Sequence, residues 1–372
     1  MKGIPIAAAC LVLANTGLGA QAVEDRLSCS TCMISWRTAA VLAESQGTAE
    51  LSTIFRVNVD SRRRYWVFSQ SASLFVFDQS GKSIRAPARR GQGPGEVQSP
   101  SGLIQLPDDS VAILDANLLL HVFDPELRYV RTIRLPILGI YECVVLHWPT
   151  MVVANALDPT PARFGILFHV LDSASSTGRV LSSFGAGNEA ITQSTMYSML
   201  PHALARSRSG GYWAASLGLY SVSKWSDSNR LEFTLDRRPS WFRGRSDMLD
   251  GGPEKPPSPR CVGVTEDDAG FLWSFCLVPA PGYREAWRSV AGQLRPGQRT
   301  EIPSGAIDRQ LLHHTRIEVI DPVNRVVVAR STLEQAVTSV LPGPEAAVYV
   351  VGEGGEPEVR ILRFALRVRE RE

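Results

Sequence analysis

Four segments of the chain share one line of residues: FVFDQSGK (Phe75–Lys82), HVFDPELR (His121–Arg128), HVLDSASS (His169–Ser176) and EVIDPVNR (Glu318–Arg325). Each is a short apolar strand that ends in Asp and runs into a polar turn, the pattern of a half-buried strand closed by a reversal. Weaker copies are SVSK from Ser221 and RILR from Arg360. Upstream of most copies lies a second motif, a polar turn followed by an apolar run: DDSVAILD (108–115), SGGYWAAS (209–216), DDAGFLWSF (267–275) and PEAAVYVV (344–351). Paired strand motifs recurring roughly every 40 to 50 residues predict propeller blades. The spacing gives an all-β, six-bladed β-propeller over 54–366, with blades beginning near Ile54, Ser101, Val144, Pro201, Cys261 and Val337. Blade five carries a long insertion between its strands, about 278–315. MISWRTAAVLAE (Met33–Glu44) has strand character and no blade of its own, so it is expected to close the ring on the last blade, because an open ring exposes unpaired edges.

Within this pattern, ILDANLLLHVFD (Ile113–Asp124) resembles the NHL repeat, in which Asp and Asn precede a strand ending in Phe-Asp, with Leu119 where the repeat usually has arginine. Together with GQGPGEVQSP, an early Cys-x-x-Cys and the six-blade count, the chain resembles exported bacterial six-bladed propellers of the NHL and TolB-like repeat superfamily. That resemblance implies a fold and leaves the chemistry open.

The 372 residues are 44% hydrophobic and 20% charged, enough for a large core, with 39 Lys and Arg against 37 Asp and Glu. So even a balance gives no reason to propose a nucleic-acid or membrane partner, and a monomer is expected. MKGIPIAAACLVLANTGLGAQA (1–22) has the charged, apolar and small-residue order of a secretory signal, with cleavage expected after Ala22 or Ala20. The mature protein is then exported, periplasmic or extracellular, and no later segment is apolar enough to be a spanning helix. A 23–53 segment would hold the Cys-x-x-Cys and the closing strand, and 367–372 a charged tail.

Five cysteines follow the signal. Cys29 and Cys32 are read as a local disulfide, since neither a haem-attachment His nor a thioredoxin-like βαβ context accompanies them. A hairpin folded symmetrically about Asp268 and Ala269 sets Cys261 opposite Cys276, predicting a second bridge. Cys143 is left as a thiol, expected to behave as a small buried hydrophobe.

RRGQGPGEVQSPSG (Arg89–Gly102) looks like a phosphate cradle but has Glu96 where GxGxxG needs its last glycine, no following Gly-Lys-Ser/Thr, and no helix behind it. It is read as a connector between blades. Alternating strand direction puts such connectors and the second-to-third-strand loops on one face. All the long segments fall there: 91–100, 158–163, 185–195, 239–260, 278–315 and 352–358. This elaborated face is the expected functional surface. Its candidate ligand-contacting residues are Arg89, Arg90, Glu96, Asp115, Asn117, Asn155, Trp241, Arg243, Tyr283, Arg284, Trp287, Arg288, His313 and His314. Phe242, beside Trp241, shares the aromatic and arginine composition of recognition surfaces, although such aromatics also fold down over a core.

Catalytic residues are not legible. Asp115 and Asn117 would suit Ca²⁺ as in gluconolactonase-like propellers, but the matching corners carry Ser69 and Ser216, so these two residues are read as turn formers and no metal or other cofactor is expected. His313 and His314, as strand neighbours, point to opposite sides and cannot easily share a metal. The sequence therefore predicts a scaffold binding protein or carbohydrate, with a metal-dependent lactonase or related hydrolase as the alternative.

Overall fold

A computed structural model describes residues 20–43, 54–69, 73–137, 140, 142–154, 160, 163, 165–185, 202–242, 255–286, 309–352 and 356–369. Three N-terminal strands come first: β1 (Ala20–Ala22), β2 (Glu24–Leu27) and β3 (Cys32–Leu42). Blade one follows as β4 (Ile54–Val59), β5 (Tyr65–Ser69), β6 (Leu74–Phe77) and β7 (Ser83–Ile84). Blade two is β8 (Pro100–Gln105), β9 (Val111–Asp115), β10 (Leu119–Phe123) and β11 (Tyr129–Arg134). Blade three is β12 (Glu142–His147), β13 (Thr150–Ala154), β14 (Phe168–Asp172) and β15 (Arg179–Phe184). Blade four is β16 (His202–Arg206), β17 (Tyr212–Ser216), β18 (Ser221–Trp225) and β19 (Leu231–Asp236). Blade five is β20 (Arg260–Glu266), β21 (Leu272–Pro279), β22 (His313–Asp321) and β23 (Val326–Leu333), with a short helix α1 (Arg309–Leu312) leading into β22. Blade six is β24 (Val337–Leu341), β25 (Glu345–Val351) and β26 (Pro357–Val368).

Ring closure is as the orphan strand predicts: β3 pairs antiparallel with β26, Trp36 facing Phe364 and Leu42 facing Val359. The other two N-terminal strands form an unforeseen strap. β2 adds in parallel to the outer edge of blade five, and β1 adds in parallel to that of blade four. Three outer edges are thus covered by the chain itself, which removes templates for further strand pairing. Val23, between β1 and β2, is buried among blades four and five. The expected processing site at Ala20 or Ala22 falls on β1.

The core is distributed over the six seams between blades, each filled by its own apolar cluster: Trp66, Ile113 and Phe123 between one and two, Leu114 and Met151 between two and three, Phe168 and Tyr212 between three and four. Trp213 and Leu272 join four to five, Phe275 and Phe364 five to six, and Ala347 and Tyr65 six to one. Alternating side chains on both faces of every sheet build this arrangement, because each blade is sandwiched by two neighbours.

The repeated Asp that ends each copy of the motif closes a turn. Asp78, Asp124, Asp172 and Asp321 accept backbone amides two to four residues ahead, from Ser80 and Lys82, Arg128, Ala174, and Val323 and Asn324 respectively. Those hydrogen bonds, first from the Arg128 and Ala174 amides, hold the Asp124 and Asp172 carboxyls below the usual range. On the same short-turn face Asp60 and Asp267 accept indole N–H bonds from Trp66 and Trp273, at 2.9 and 2.8 Å. This face is short, tied down and repetitive, whereas the strand ends that lead into the long segments lie at the opposite face.

Both disulfides form, Cys29–Cys32 and Cys261–Cys276. The register of the second corrects the symmetric-hairpin argument. Near the turn the pairs are Glu266 with Leu272 and Val264 with Ser274, a register that would set Cys261 against Leu277. An extra residue, Val262, shifts it back, so that the bulge brings the two cysteines together. Gly263 beside it lies where the inner strands of three blades converge: a Cβ there would meet Val340 at 3.2 Å and Ala203 at 3.7 Å.

Candidate functional site

The glycine-rich connector is closed on itself. Gly93 donates its amide to Glu96 Oε2 at 2.9 Å, Glu96 donates its own to the Gly93 carbonyl at 3.0 Å, and Val97 bonds back to Arg89. The chain's own carboxylate fills the cradle that a phosphate would need. A Cβ on Gly91 would sit 2.1 Å from Glu96 Oε2, which is the reason for glycine there. Arg89 and Arg90 remain exposed at its rim.

Asp115 is likewise consumed. Its Oδ2 accepts the amides of Gln98 and Ser99 at 2.7 and 3.2 Å, and its Oδ1 accepts the amide and side-chain N–H of Asn117, both at 2.9 Å. One carboxylate thereby pins the connector entering blade two to that blade's own corner. Behind it, His121 is buried, with Nδ1 3.0 Å from Thr132 Oγ1 and Nε2 3.9 Å from Asp115 Oδ2. Burial pushes the imidazole below its ordinary value against the pull of Asp115, leaving it neutral at pH 7. The same cross-strand position holds His169 with Ser183 in blade three and Ser223 with Thr234 in blade four. These are polar rungs of the blades, as the repeat alignment of His121 and His169 implies.

In blade five that rung is Glu318, fully buried, and it anchors a network that the sequence does not announce. Tyr220 donates its hydroxyl to Glu318 Oε2 at 2.6 Å, and Arg237 binds both carboxylate oxygens at 3.0 Å. Arg237 also reaches Asp25 of the strap at 2.6 Å, and Arg330 bonds Asp25 at 2.7 Å. Burial first, then the charge of Glu318, raises the Tyr220 pKa far above its ordinary value. Burial opposes the charge on Arg237, but its bonds to Glu318 outweigh that and raise its pKa.

Toward the elaborated face from this network, Tyr220, Phe242 and the Cys261–Cys276 bridge form a small buried cluster with Trp241 packed against it. Phe242 is buried, so this aromatic does fold down, while Trp241 stays half-exposed. The Arg316 guanidinium stacks on the Trp241 ring with its carbon 5.2 Å from the centroid. Neither Arg316 Nε nor Trp241 Nε1 has a hydrogen-bond partner. Tyr283 and Arg284 stack on each other, 5.7 Å from guanidinium carbon to ring centroid, at the start of the insertion. His313 is buried and His314 half-exposed, paired with Pro279 and Val278, so they occupy opposite sides of β22 as expected. Asn155, Arg243, Trp287 and Arg288 lie outside the described residues.

A further feature is axial. Arg56 of β4 reaches past Gly102 of blade two to Glu142 of blade three, Nη2 to Oε1 2.5 Å, spanning the elaborated-face end of the inner strands. Cys143, next to Glu142, packs half-buried with its sulfur 3.8 Å from Met151 Sδ; burial, then Glu142, pushes its thiol pKa upward, so it stays protonated. Among the described residues no three His, Cys, Asp or Glu side chains converge as metal ligands.

With this geometry in view, a family model for 6-bladed beta-propeller proteins, DUF5128, matches residues 43–150. No match to a curated protein was found. The fold is that of a six-bladed propeller. A protein described as exported from Bacteroides fragilis is 11% identical with a TM-score of 0.56, the match covering 94% of this chain and 99% of that one. A Bacteroides thetaiotaomicron protein is 8% identical at a TM-score of 0.49, covering 90% and 76%. Staphylococcus aureus virginiamycin B lyase is 9% identical at 0.46, covering 89% and 99%. Identities this low restrict these likenesses to the fold.

Proposed function

We propose that the protein is an exported binding scaffold whose elaborated face takes a protein or carbohydrate ligand. One observation carries the reading: the stacked side chains of Arg316 and Trp241, at the seam between blades four and five, keep donors without partners, whereas Glu96 and Asp115, the acids the sequence singles out on the elaborated face, are spent on the fold. Asp115 and Glu318 each have two or more internal partners, and Glu96 Oε2 accepts the Gly93 amide. Binding groups gather on long loops over a rigid frame, and two disulfides stiffen this frame. The disulfides suit an oxidising compartment, and the Bacteroides fragilis neighbour is itself described as exported.

The test is a panel of peptides and glycans applied to protein carrying a bulky polymer on either face. Arg284→Cys places the polymer on the elaborated face and Val323→Cys, at a side chain 82% exposed, on the other, each in a Cys143→Ala background. Loss of binding with the first and retention with the second is expected. The reverse pattern, or no ligand from the panel, overturns the reading.

A further inference from the structure

We infer that Arg316 and the indole N–H of Trp241 form a subsite for a carboxylate side chain of an acidic peptide ligand. This rests on the binding-face reading above and narrows it to a ligand chemistry and a place. The inference begins with register. Cys276 pairs with Arg316 in blade five as Asp115 pairs with Leu119 in blade two, so the blade-five corner has an arginine but a disulfide sulfur where the acid would stand. Its guanidinium stacks on Trp241, and no carboxylate among the described residues pairs with it.

Arg316 differs from its neighbours in having no acid partner among the described residues, although Arg330 Nε is also without a hydrogen-bond partner. On the same seam Arg237 and Arg330 both pair with Glu318 and Asp25. Glu318 lies on the same side of β22 as Arg316, two residues on, but its oxygens are engaged by Tyr220 and Arg237. Arg316 Nε and Trp241 Nε1 are two donors, shielded from solvent and without partners, on stacked side chains. Buried donors are ordinarily satisfied, so a pair left open at a loop-rich surface marks where a ligand's acceptor belongs. A planar guanidinium matches the two oxygens of a carboxylate.

Charge points the same way. Residues 237–260 and 280–312, which flank β20 and β21 in the chain, contain 11 Lys and Arg against six Asp and Glu, while the rest of the chain has 28 against 31. A basic region on an otherwise slightly acidic protein attracts an acidic partner. Both nitrogens are shielded, so the stacked pair has to part to admit an acceptor, which a carboxylate on a flexible stem, such as a glutamate side chain, does more readily than one fixed to a sugar ring.

Calorimetric titration of the full protein with blocked hexaglutamate, hexaglutamine and a uronic-acid tetrasaccharide at low salt tests this, with hydrogen exchange locating the bound peptide. Hexaglutamate is expected to bind and hexaglutamine to fail. Arg316→Met should weaken binding at least about tenfold, the scale of one charge-assisted hydrogen bond, and Trp241→Phe about threefold. Arg316→Lys keeps the charge, loses the fork and should fall between, which separates recognition from misfolding; melting curves of all three variants check the fold. Protection of the ends of β21 and β22, lost in Arg316→Met, supports the proposal. Protection elsewhere on the elaborated face, indifferent to Arg316, overturns the subsite and leaves the face standing; protection on the short-turn face overturns both. Binding of the saccharide in place of the peptide, or of neither, overturns the proposal.

Discussion

Blade two and blade five hold complementary halves of one structural corner. Blade two has the acid, Asp115, opposite Leu119; blade five has the arginine, Arg316, opposite Cys276. In blade two the acid turns inward, takes four donors and locks an incoming connector. The arginine of blade five instead stacks on Trp241 beside the disulfide and keeps an unpaired N–H. A repeat position that is purely architectural in one blade is thus free in another, and the freed blade is the one with the longest insertion. Repeat proteins can vary single blades this way because each contacts only its neighbours.

The largest effect that sharpens this comparison lies beneath the blade-five corner. Arg237→Met should destabilise the protein by about 3–5 kcal/mol in urea unfolding, because it strands the buried Glu318 carboxylate, both side chains being at most 2% exposed. Removal of Cys261–Cys276 by paired alanines should cost about 3 kcal/mol from the loop it closes, against about 2 kcal/mol for the shorter Cys29–Cys32 loop. Equal costs, or none for Arg237→Met, would break the claim that blade five is specially reinforced.

In blade two, Asp115→Ala should cost about 1–3 kcal/mol and speed amide exchange at Gln98 and Ser99, whose acceptor it removes. A smaller, pH-linked effect comes from His121. Its pKa is depressed in the fold, so the unfolded chain binds the proton more readily; the stabilisation is present above the ordinary value of 6.5 and is lost as pH falls below it. His121→Phe, borrowing the residue of blade one at that place, should flatten the melting temperature between pH 7 and 5. An unchanged slope would show that His121 is not the group responsible. Smallest of all, Arg316→Met should change stability by less than about 1 kcal/mol, since its one contact is a stack on a half-exposed ring.

Much of the ring is legible in the sequence because Asp-terminated strands repeat, and strand starts expected at Ile54 and Val337 coincide with β4 and β24 while the other four fall within two residues. The strap is not legible: β1 and β2 are three and four residues long, and Glu24–Leu27 is exposed throughout, so no alternation marks it. The Tyr220–Glu318–Arg237 network escapes because its members come from separate segments and a buried Glu looks like any strand residue. Arg316 was within reach. Its signal is the loss of the corner acid at Cys276, visible only when the corners of all blades are aligned rather than each motif judged by its best copy.

The central claim, that blade five binds because its corner arginine lacks an acid, is tested most directly by supplying one. Cys261→Ala with Cys276→Asp places a carboxylate opposite Arg316, as Asp115 stands opposite Leu119, and the Cys261→Ala/Cys276→Ala protein controls for the lost disulfide. Titrated with hexaglutamate, the control should bind within about threefold of the native protein, while the Asp variant should lose at least about tenfold, the scale of one charge-assisted hydrogen bond, although Arg316 is intact. An Asp variant that folds and binds as tightly as its alanine control would contradict the account.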